Sequence, residues 1–519
     1  MLIAKDLLRR KENWTMSKAV HLIAILVLIG FVLIASALVM QMGVCCADDG
    51  SFALLAKNLA WGHGYASSIG YHSSTFSLKL FDSTVQTTGP TLILPTAFAI
   101  WLFGNQYWIP GATQILVWLT LFFAIYRTLC SVTEPSRVSA AAAVFLVLVY
   151  AVSPYHFEQW WALFGEVPSI LLVILGFSWW AVAPCSKRHL FWASMFIGLA
   201  VMTKLLSLLY LAIFVLSVFV WNLSIDNTDK AWRRLADLFW VGCVCLIPFI
   251  CFEAWKLITL GFAGYVDNIL QFLAYARGQG MSNKLFDFGQ LTERTQNFYS
   301  RFGVSISEML LLGGASVYLS FQTGSNWLRR LTAISFSGAV IHSLYWLIFS
   351  LRWPRYFYSG LVLLCFIVSI SFLAIDKREG RILYFLILAV LLTGTLGPIS
   401  YPLIMISNGW FTTAPDRKNQ VLVTEFLDVH FDQRPFVSFW GGSVTDLEYL
   451  LRGVANFTGY KGLKPQDFER GFLLVRNAKF DKHGGAEDQQ FKSLVSNCGL
   501  PVLIAEPYTV YDCKPKEDH

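Results

Sequence analysis

The residues best suited to chemistry are acids and bases that sit where long apolar runs end. Asp48 and Asp49 follow the first apolar run at once, and Glu166 stands just before another. Lys204 lies in the turn between two apolar runs, and Arg352 and Arg355 flank a Trp-Pro pair, with Tyr356 next. A carboxylate held at the end of a membrane helix can take a proton from a hydroxyl at headgroup level. A compact ammonium or a forked guanidinium at the same level can hold a phosphate. Each residue also has a plainer reading. Asp48 or Asp49 would cap a helix, and Glu166 would suit the start of one, with Pro168 in its first turn. Lys204 and the arginines would anchor helix ends at the interface beside Trp353 and Tyr356.

The elements that position these groups follow from composition. Of the 519 residues 55% are hydrophobic and only 14% charged, against about a quarter charged in soluble domains. The shortfall is uneven: apolar runs alternate with short basic clusters, and the last hundred or so residues look soluble. This predicts a mainly α-helical polytopic membrane domain over 1–405 and a C-terminal α/β domain over 406–519. The net charge of +7 comes mainly from the basic clusters, so it reads as topology rather than nucleic-acid binding. About eleven spans are expected, near 19–40, 107–127, 137–153, 168–184, 189–203, 205–221, 238–258, 305–321, 331–350, 357–375 and 382–405. The first is read as uncleaved, because no small-residue cleavage site follows it.

Orientation comes from the basic residues. Arg127 with Arg137, Lys187 with Arg188, Lys230 with Arg233 and Arg234, Arg329 with Arg330, and Lys377 with Arg378 and Arg381 fall in alternate short connections. With a cytoplasmic N-terminus all of them lie inside. The opposite connections, 41–106, 154–167, 259–304, 351–356 and 406–519, are then outside, and the C-terminal domain is extracytoplasmic. Gly89–Gly104 is apolar, but too short to span without inverting every later loop, so a re-entrant or interfacial helix is expected there. Cys498 and Cys513 stand apart from the membrane-segment cysteines and could close a disulfide in an oxidising compartment.

In the first outer loop Phe52, Leu55, Ala56 and Leu59 share one helical face, and Gly62 and Gly64 suit its end. The order Asp48-Asp49, amphipathic helix, Gly62-His63-Gly64-Tyr65, Thr88-Gly89-Pro90 and an apolar hairpin ending Leu102-Phe103-Gly104 resembles the start of the GT-C class of membrane glycosyltransferases. The nearest likenesses are lipid A aminoarabinose transferases and protein O-mannosyltransferases, which commonly carry Asp-Glu where this chain has Asp-Asp. The likeness is good over about 1–210 and loose beyond. It implies transfer of a sugar from a polyprenyl-phosphate donor to a lipid, glycan or protein acceptor, with inversion, in the bacterial inner membrane. It also implies a catalytic acid at Asp48 or Asp49, a second at Glu166, and phosphate contacts at Lys204 and the Arg352–Tyr356 loop.

His63, Tyr65 and Asp82 are further loop candidates, and Lys79 is a candidate phosphate contact. His63 and His72 show no metal-ligand spacing, so no cofactor is required by the scheme, although a divalent metal stays open. There is no P-loop and no dinucleotide fingerprint. The competing reading is a transporter or flippase of a lipid-linked sugar, which would use intramembrane acids such as Glu253 and Glu308. It explains the long first loop poorly, and no inverted repeat is visible. In the C-terminal domain strands are expected near 435–440, 471–476, 501–505 and 508–511, with helices near 444–451 and 487–497. Asn456-Phe457-Thr458 fits a glycosylation acceptor.

Overall fold

The structure is a computed structural model. It describes residues 2–44, 46–67, 78–82, 88–151, 157–224, 231–280, 292–296, 306–322, 325–349, 354–374, 417–430, 435–439, 444–453, 457–460, 463, 469, 471–478 and 489–513.

The membrane domain is built from helices α1 Leu2–Met42, α2 Ala47–Ala60, α3 Pro90–Phe103, α4 Ile109–Cys130, α5 Pro135–Ala151, α6 Glu166–Val182, α7 Lys187–Thr203, α8 Leu208–Ser224, α9 Ala231–Gly280, α10 Ile306–Gln322, α11 Asn326–Phe349 and α12 Tyr358–Ser371. Ten of the eleven expected apolar segments are helical among the described residues, and the eleventh, 382–405, lies outside them. Among the described residues four stretches are long and apolar enough to cross a membrane: Lys18–Met42, Ile109–Cys130, Ala236–Ala274 and Asn326–Ile348. The other apolar helices are shorter, from 14 to 17 residues. Helix α6 is buried on nearly every side and forms the centre of the bundle. The lipid-like outer face shows in exposed Phe239, Ile258 and Phe262 of α9 and Leu116 and Phe123 of α4.

Two expectations change. Helix continues past residue 258, through a break at Gly261 (φ 68°), to Gly280, so nearly half of the expected 259–304 loop is helical. Neither Asp48 nor Asp49 caps α2: Cys46 is the extended N-cap residue, and both acids lie in the first turn. That turn still favours carboxylates through the helix dipole. The end of α2 is as expected, with Gly62 and Gly64 both at φ 82°. Helix α3 is 14 residues, about 21 Å long at 1.5 Å per residue, short of a ~30 Å hydrocarbon core.

The C-terminal domain places a five-stranded sheet beside α13 Arg417–Val429, α14 Thr445–Leu450 and α15 Gln489–Asn497. After the two-residue strands β1 (Ala66–Ser67) and β2 (Lys79–Leu80) of the first loop, its strands are β3 Phe436–Ser438, β4 Phe457–Gly459, β5 Phe472–Asn477, β6 Pro501–Ala505 and β7 Tyr508–Cys513. The order is β4-β3-β5-β7-β6, parallel from β4 to β5 and antiparallel from β5 to β6. Period-two alternation sorts its core: Phe436, Leu473 and Val475 pack on one face, Val437, Phe472 and Leu474 on the other. The Cys498–Cys513 disulfide is formed and ties the end of α15 to the last residue of β7. Asn456 lies outside the described residues.

The segments expected on one side of the membrane lie together. The first loop meets the 157–165 turn through Asp49 and Leu163, the 203–207 turn through Gly89 and Thr203, and the C-terminal domain through Lys57. At the other end His21 meets Ser139 at 2.7 Å and Arg330 donates to the Ala181 carbonyl.

Candidate active site

Two ion pairs stand where these loops converge. Arg355, in the short 3-10 turn Pro354–Phe357, donates a close hydrogen bond to Asp48 Oδ2. The Asp48 side chain stays 44% exposed, so the carboxylate remains accessible. Lys204 Nζ lies 2.9 Å from Glu166 Oε1, and this pair is almost fully buried. The pairs belong to one electrostatic group, since Glu166 as well as Asp48 acts on the Arg355 guanidinium. Lys204 Nζ is also 6.0 Å from the Phe52 ring of α2.

Asp48 and Asp49 are neighbours in sequence but point about 100° apart around the helix. Asp49 is buried, and its Oδ1 accepts the Leu163 amide at 2.8 Å. It therefore fastens α2 to the 157–165 turn, while Asp48 faces the arginine. Gln114 pins the same turn from α4, donating to the Gln159 and Phe164 carbonyls at 3.0 Å each. Glu166 is the first residue of α6, and Lys204 is the extended residue that ends α7. The break that leaves Lys204 extended is followed by a 3-10 turn, Leu205–Ser207, before α8.

Gly89 explains how the first loop reaches this break. Its amide donates to the Thr203 carbonyl at 3.0 Å, and a Cβ there would fall 1.5 Å from the Met202 carbonyl oxygen. Only glycine allows that approach. Beside it, Thr88 Oγ1 and Glu166 Oε2 are buried without a hydrogen-bond partner. Unsatisfied polar atoms are costly to bury, so these two oxygens mark a place where a ligand's donors would be welcome.

Tyr356 stacks beside Arg355, its ring 5.3 Å from the guanidinium. Its carbonyl lies 2.6 Å from His342 Nε2, and His342 Nδ1 lies 2.9 Å from the Tyr210 hydroxyl. A carbonyl only accepts, so Nε2 carries the proton and Nδ1 accepts from Tyr210. The buried His342 thus holds the arginine's turn to α8 and α11. Trp160 Nε1 donates to the Tyr358 hydroxyl on the far side of that turn.

The structure brings Asp48, Glu166, Lys204, Arg355 and Tyr356 together. Arg352 and His72 lie outside the described residues. His63 is exposed beyond the end of α2. Tyr65 is buried among Phe81, Phe252 and Trp255, and that burial pushes its phenol up. Asp82 pairs with Lys79 at 3.5 Å. These contacts belong to the β1–β2 hairpin and its seat on α9, where Asn268 donates to the Phe81 carbonyl at 2.6 Å. Glu253 pairs with Lys256 at 2.9 Å within α9. Among the described residues no group of three or more His, Cys, Asp or Glu side chains could hold a metal ion.

Sequence reasoning missed Gln114, His342, Lys57 and Asn105. Each works on backbone carbonyls of another element, 14 to 396 positions along the chain, and no local spacing announces that. Gly89 was visible only as part of the Thr88-Gly89-Pro90 motif.

No protein-family profile matches the sequence, and no curated protein matches it. Solved structures match by fold. ArnT from Cupriavidus metallidurans in the apo state superposes with a TM-score of 0.59 at 12% identity, over 94% of this chain and 97% of that chain. ArnT from the same organism bound to undecaprenyl phosphate gives 0.55 at 14% identity, over 94% and 98%. Over 94% of its length this chain is similar in fold to the aminoarabinose transferase ArnT, a GT-C membrane glycosyltransferase.

Proposed function

We propose that this protein is a GT-C type glycosyltransferase that moves a sugar from a polyprenyl-phosphate donor to an acceptor hydroxyl on the outer face of the membrane. The observation that carries the reading is the Asp48–Arg355 pair: an accessible carboxylate in the first turn of α2, held by a guanidinium beside the Glu166–Lys204 pair. The similarity to ArnT, which has been solved with undecaprenyl phosphate bound, supports a lipid-phosphate ligand.

In this scheme the donor phosphate sits between Lys204 and Arg355, as Arg352 in the same loop would also allow. Arg355 turns from Asp48 to the phosphate, which frees Asp48 to act as base. Asp48 takes the proton of the acceptor hydroxyl, and that oxygen attacks the anomeric carbon from the face opposite the phosphate. The bond from the anomeric carbon to the phosphate oxygen breaks, polyprenyl phosphate leaves as the anion, and the anomeric centre inverts. Lys204 and Arg355 meet the charge developing on the leaving group. Glu166 holds Lys204 with one oxygen and offers the other to sugar or acceptor. Asp49 fixes the loop. Of the three loop candidates exposed His63 is open to an incoming acceptor, whether lipid, glycan or protein, while Tyr65 and Asp82 are buried in the β1–β2 hairpin. The scheme requires no metal, because basic side chains already meet the leaving anion.

The chain would lie in a bacterial inner membrane with its N-terminus cytoplasmic and its C-terminal domain extracytoplasmic. The test is a transfer assay in membranes with labelled polyprenyl-phosphate sugars, comparing wild type with Asp48→Asn. The expected result is labelled product from wild type and a loss of about a hundredfold or more in the variant. Absence of product with every donor, while labelled lipid still crosses the bilayer, would favour the flippase instead.

A further inference from the structure

Helix α14 of the C-terminal domain is six residues long, too short to hold itself together. Its last carbonyls have no partner within the helix. The membrane domain supplies the partners. Lys57 Nζ donates to the carbonyls of Glu448 at 3.0 Å, Leu451 at 2.6 Å and Gly453 at 3.0 Å. Asn105 Nδ2, just past α3, lies 3.0 to 3.1 Å from those of Tyr449, Leu450 and Leu451. Tyr449 returns a bond from its hydroxyl to the Gln106 carbonyl at 2.9 Å. An ammonium has three protons, and here it has three acceptors, all in one helix end.

The grip is on α2, the helix that carries Asp48. Gly50 and Lys57 are seven residues apart, so they share one face of α2. A Cβ at Gly50 would fall 2.6 Å from the Asp446 amide nitrogen, so the start of α14 lies directly on that face while its end lies at Lys57. Asp48, two residues before Gly50, is turned about 200° away, toward Arg355. The C-terminal domain therefore presses on the back of α2 while the carboxylate faces the site. Gln420 of α13 extends the contact, donating to the Val44 carbonyl at 2.9 Å and to Asp446 at 3.0 Å. Tyr508 donates to the same Asp446 carboxylate.

We propose that the C-terminal domain positions the Asp48 helix through Lys57 and Asn105, making Lys57 a positioning residue for transfer. This rests on the transferase reading, in which Asp48 is the base. A lysine is almost never fully buried without such partners, and this one is 1% exposed. Its ammonium also lies 4.6 Å from the centre of the Trp61 ring.

The test uses the full-length protein in lipid nanodiscs, as wild type, Lys57→Met, Asn105→Ala and Lys492→Met, the last an exposed lysine of the C-terminal domain. Hydrogen exchange of the α2 amides and the steady-state constants for transfer are both measured. In Lys57→Met the α2 amides are expected to exchange at least about tenfold faster, and kcat to fall at least about tenfold with the donor KM within about threefold. Asn105→Ala moves both in the same direction, less far, and serves alone if Lys57→Met does not fold. Lys492→Met changes neither. Exchange within about twofold of wild type in both site variants would overturn the proposal, as would faster exchange with unchanged kcat. If wild type transfers no sugar, the transferase reading falls, whereas the exchange data still decide whether Lys57 holds α2.

Discussion

The buried Glu166–Lys204 pair gives the sharpest quantitative prediction. At 2.9 Å the attraction is about 6 kcal/mol for an effective dielectric constant of about 20. Desolvation of the two groups offsets much of this, yet removing one partner from a buried pair still costs about 3–5 kcal/mol. In Glu166→Gln the amide oxygen can still accept from Lys204, which recovers about 1 kcal/mol. The expected loss is therefore about 2–4 kcal/mol of stability, read as a shift in urea unfolding followed by tryptophan fluorescence in bicelles. Replacing both residues, Glu166→Leu with Lys204→Met, should return stability to within about 1–2 kcal/mol of wild type, because no uncompensated charge remains. The same variant speaks to chemistry. With the carboxylate gone Lys204 is free for phosphate, so Glu166→Gln should bind polyprenyl phosphate more tightly than wild type while transferring sugar more slowly. A Glu166→Gln protein within about 0.5 kcal/mol of wild type, with no coupling to Lys204→Met, would refute the pairing. Weaker phosphate binding would refute the competition between Glu166 and phosphate for Lys204.

Two further outcomes follow from single contacts. Gly89→Ala drives a Cβ into the Met202 carbonyl, so the first loop must leave the α7–α8 break; we expect a loss of at least about 2 kcal/mol in the same unfolding assay. Burial pushes the Lys57 ammonium down to about 7, although Glu448 and then Asp428 act to raise it. Its unfolded value is about 10.4, so between roughly pH 7 and 10 the unfolded chain binds the extra proton and stability rises with pH. Below about pH 7 that contribution is lost. Unfolding profiles at pH 6 to 9.5 should show the rise in wild type and lose it in Lys57→Met.

What the sequence disclosed depended on whether the signal was local. Helices α1 and α4–α8 were legible because an apolar run is a property of consecutive residues. The end of α2 and the start of α6 were also legible, where Gly62, Gly64 and Pro168 punctuate the chain. The α2 cap was misplaced because Cys46, a poor capping residue by type, takes the extended N-cap conformation without a side-chain capping hydrogen bond. The span near 238–258 was drawn to the length that lipid requires, whereas the helix runs on through the break at Gly261 to Gly280. Strands β3, β5, β6 and β7 showed as short apolar runs. Strand β4, Phe457–Gly459, did not, since two of its three residues are Thr and Gly, and it is an edge strand with one neighbour.

The charged residues were found singly, and their pairing could not be. Nothing local to Asp48 points to Arg355, 307 positions away, nor does Glu166 name Lys204. This pairing alters the chemistry that the residue types alone suggest. Two acids and two cations that separately read as base and phosphate anchors are, in this structure, satisfied by each other. A carboxylate bonded to a guanidinium is a poor base, and a lysine bonded to a carboxylate is a poor anion site. An arriving phosphate changes both at once: its oxygens match the forked guanidinium as well as a carboxylate does, and its charge competes with Glu166 for Lys204. The group that binds the donor is then the group that releases the base, which couples deprotonation of the acceptor to the presence of something for it to attack.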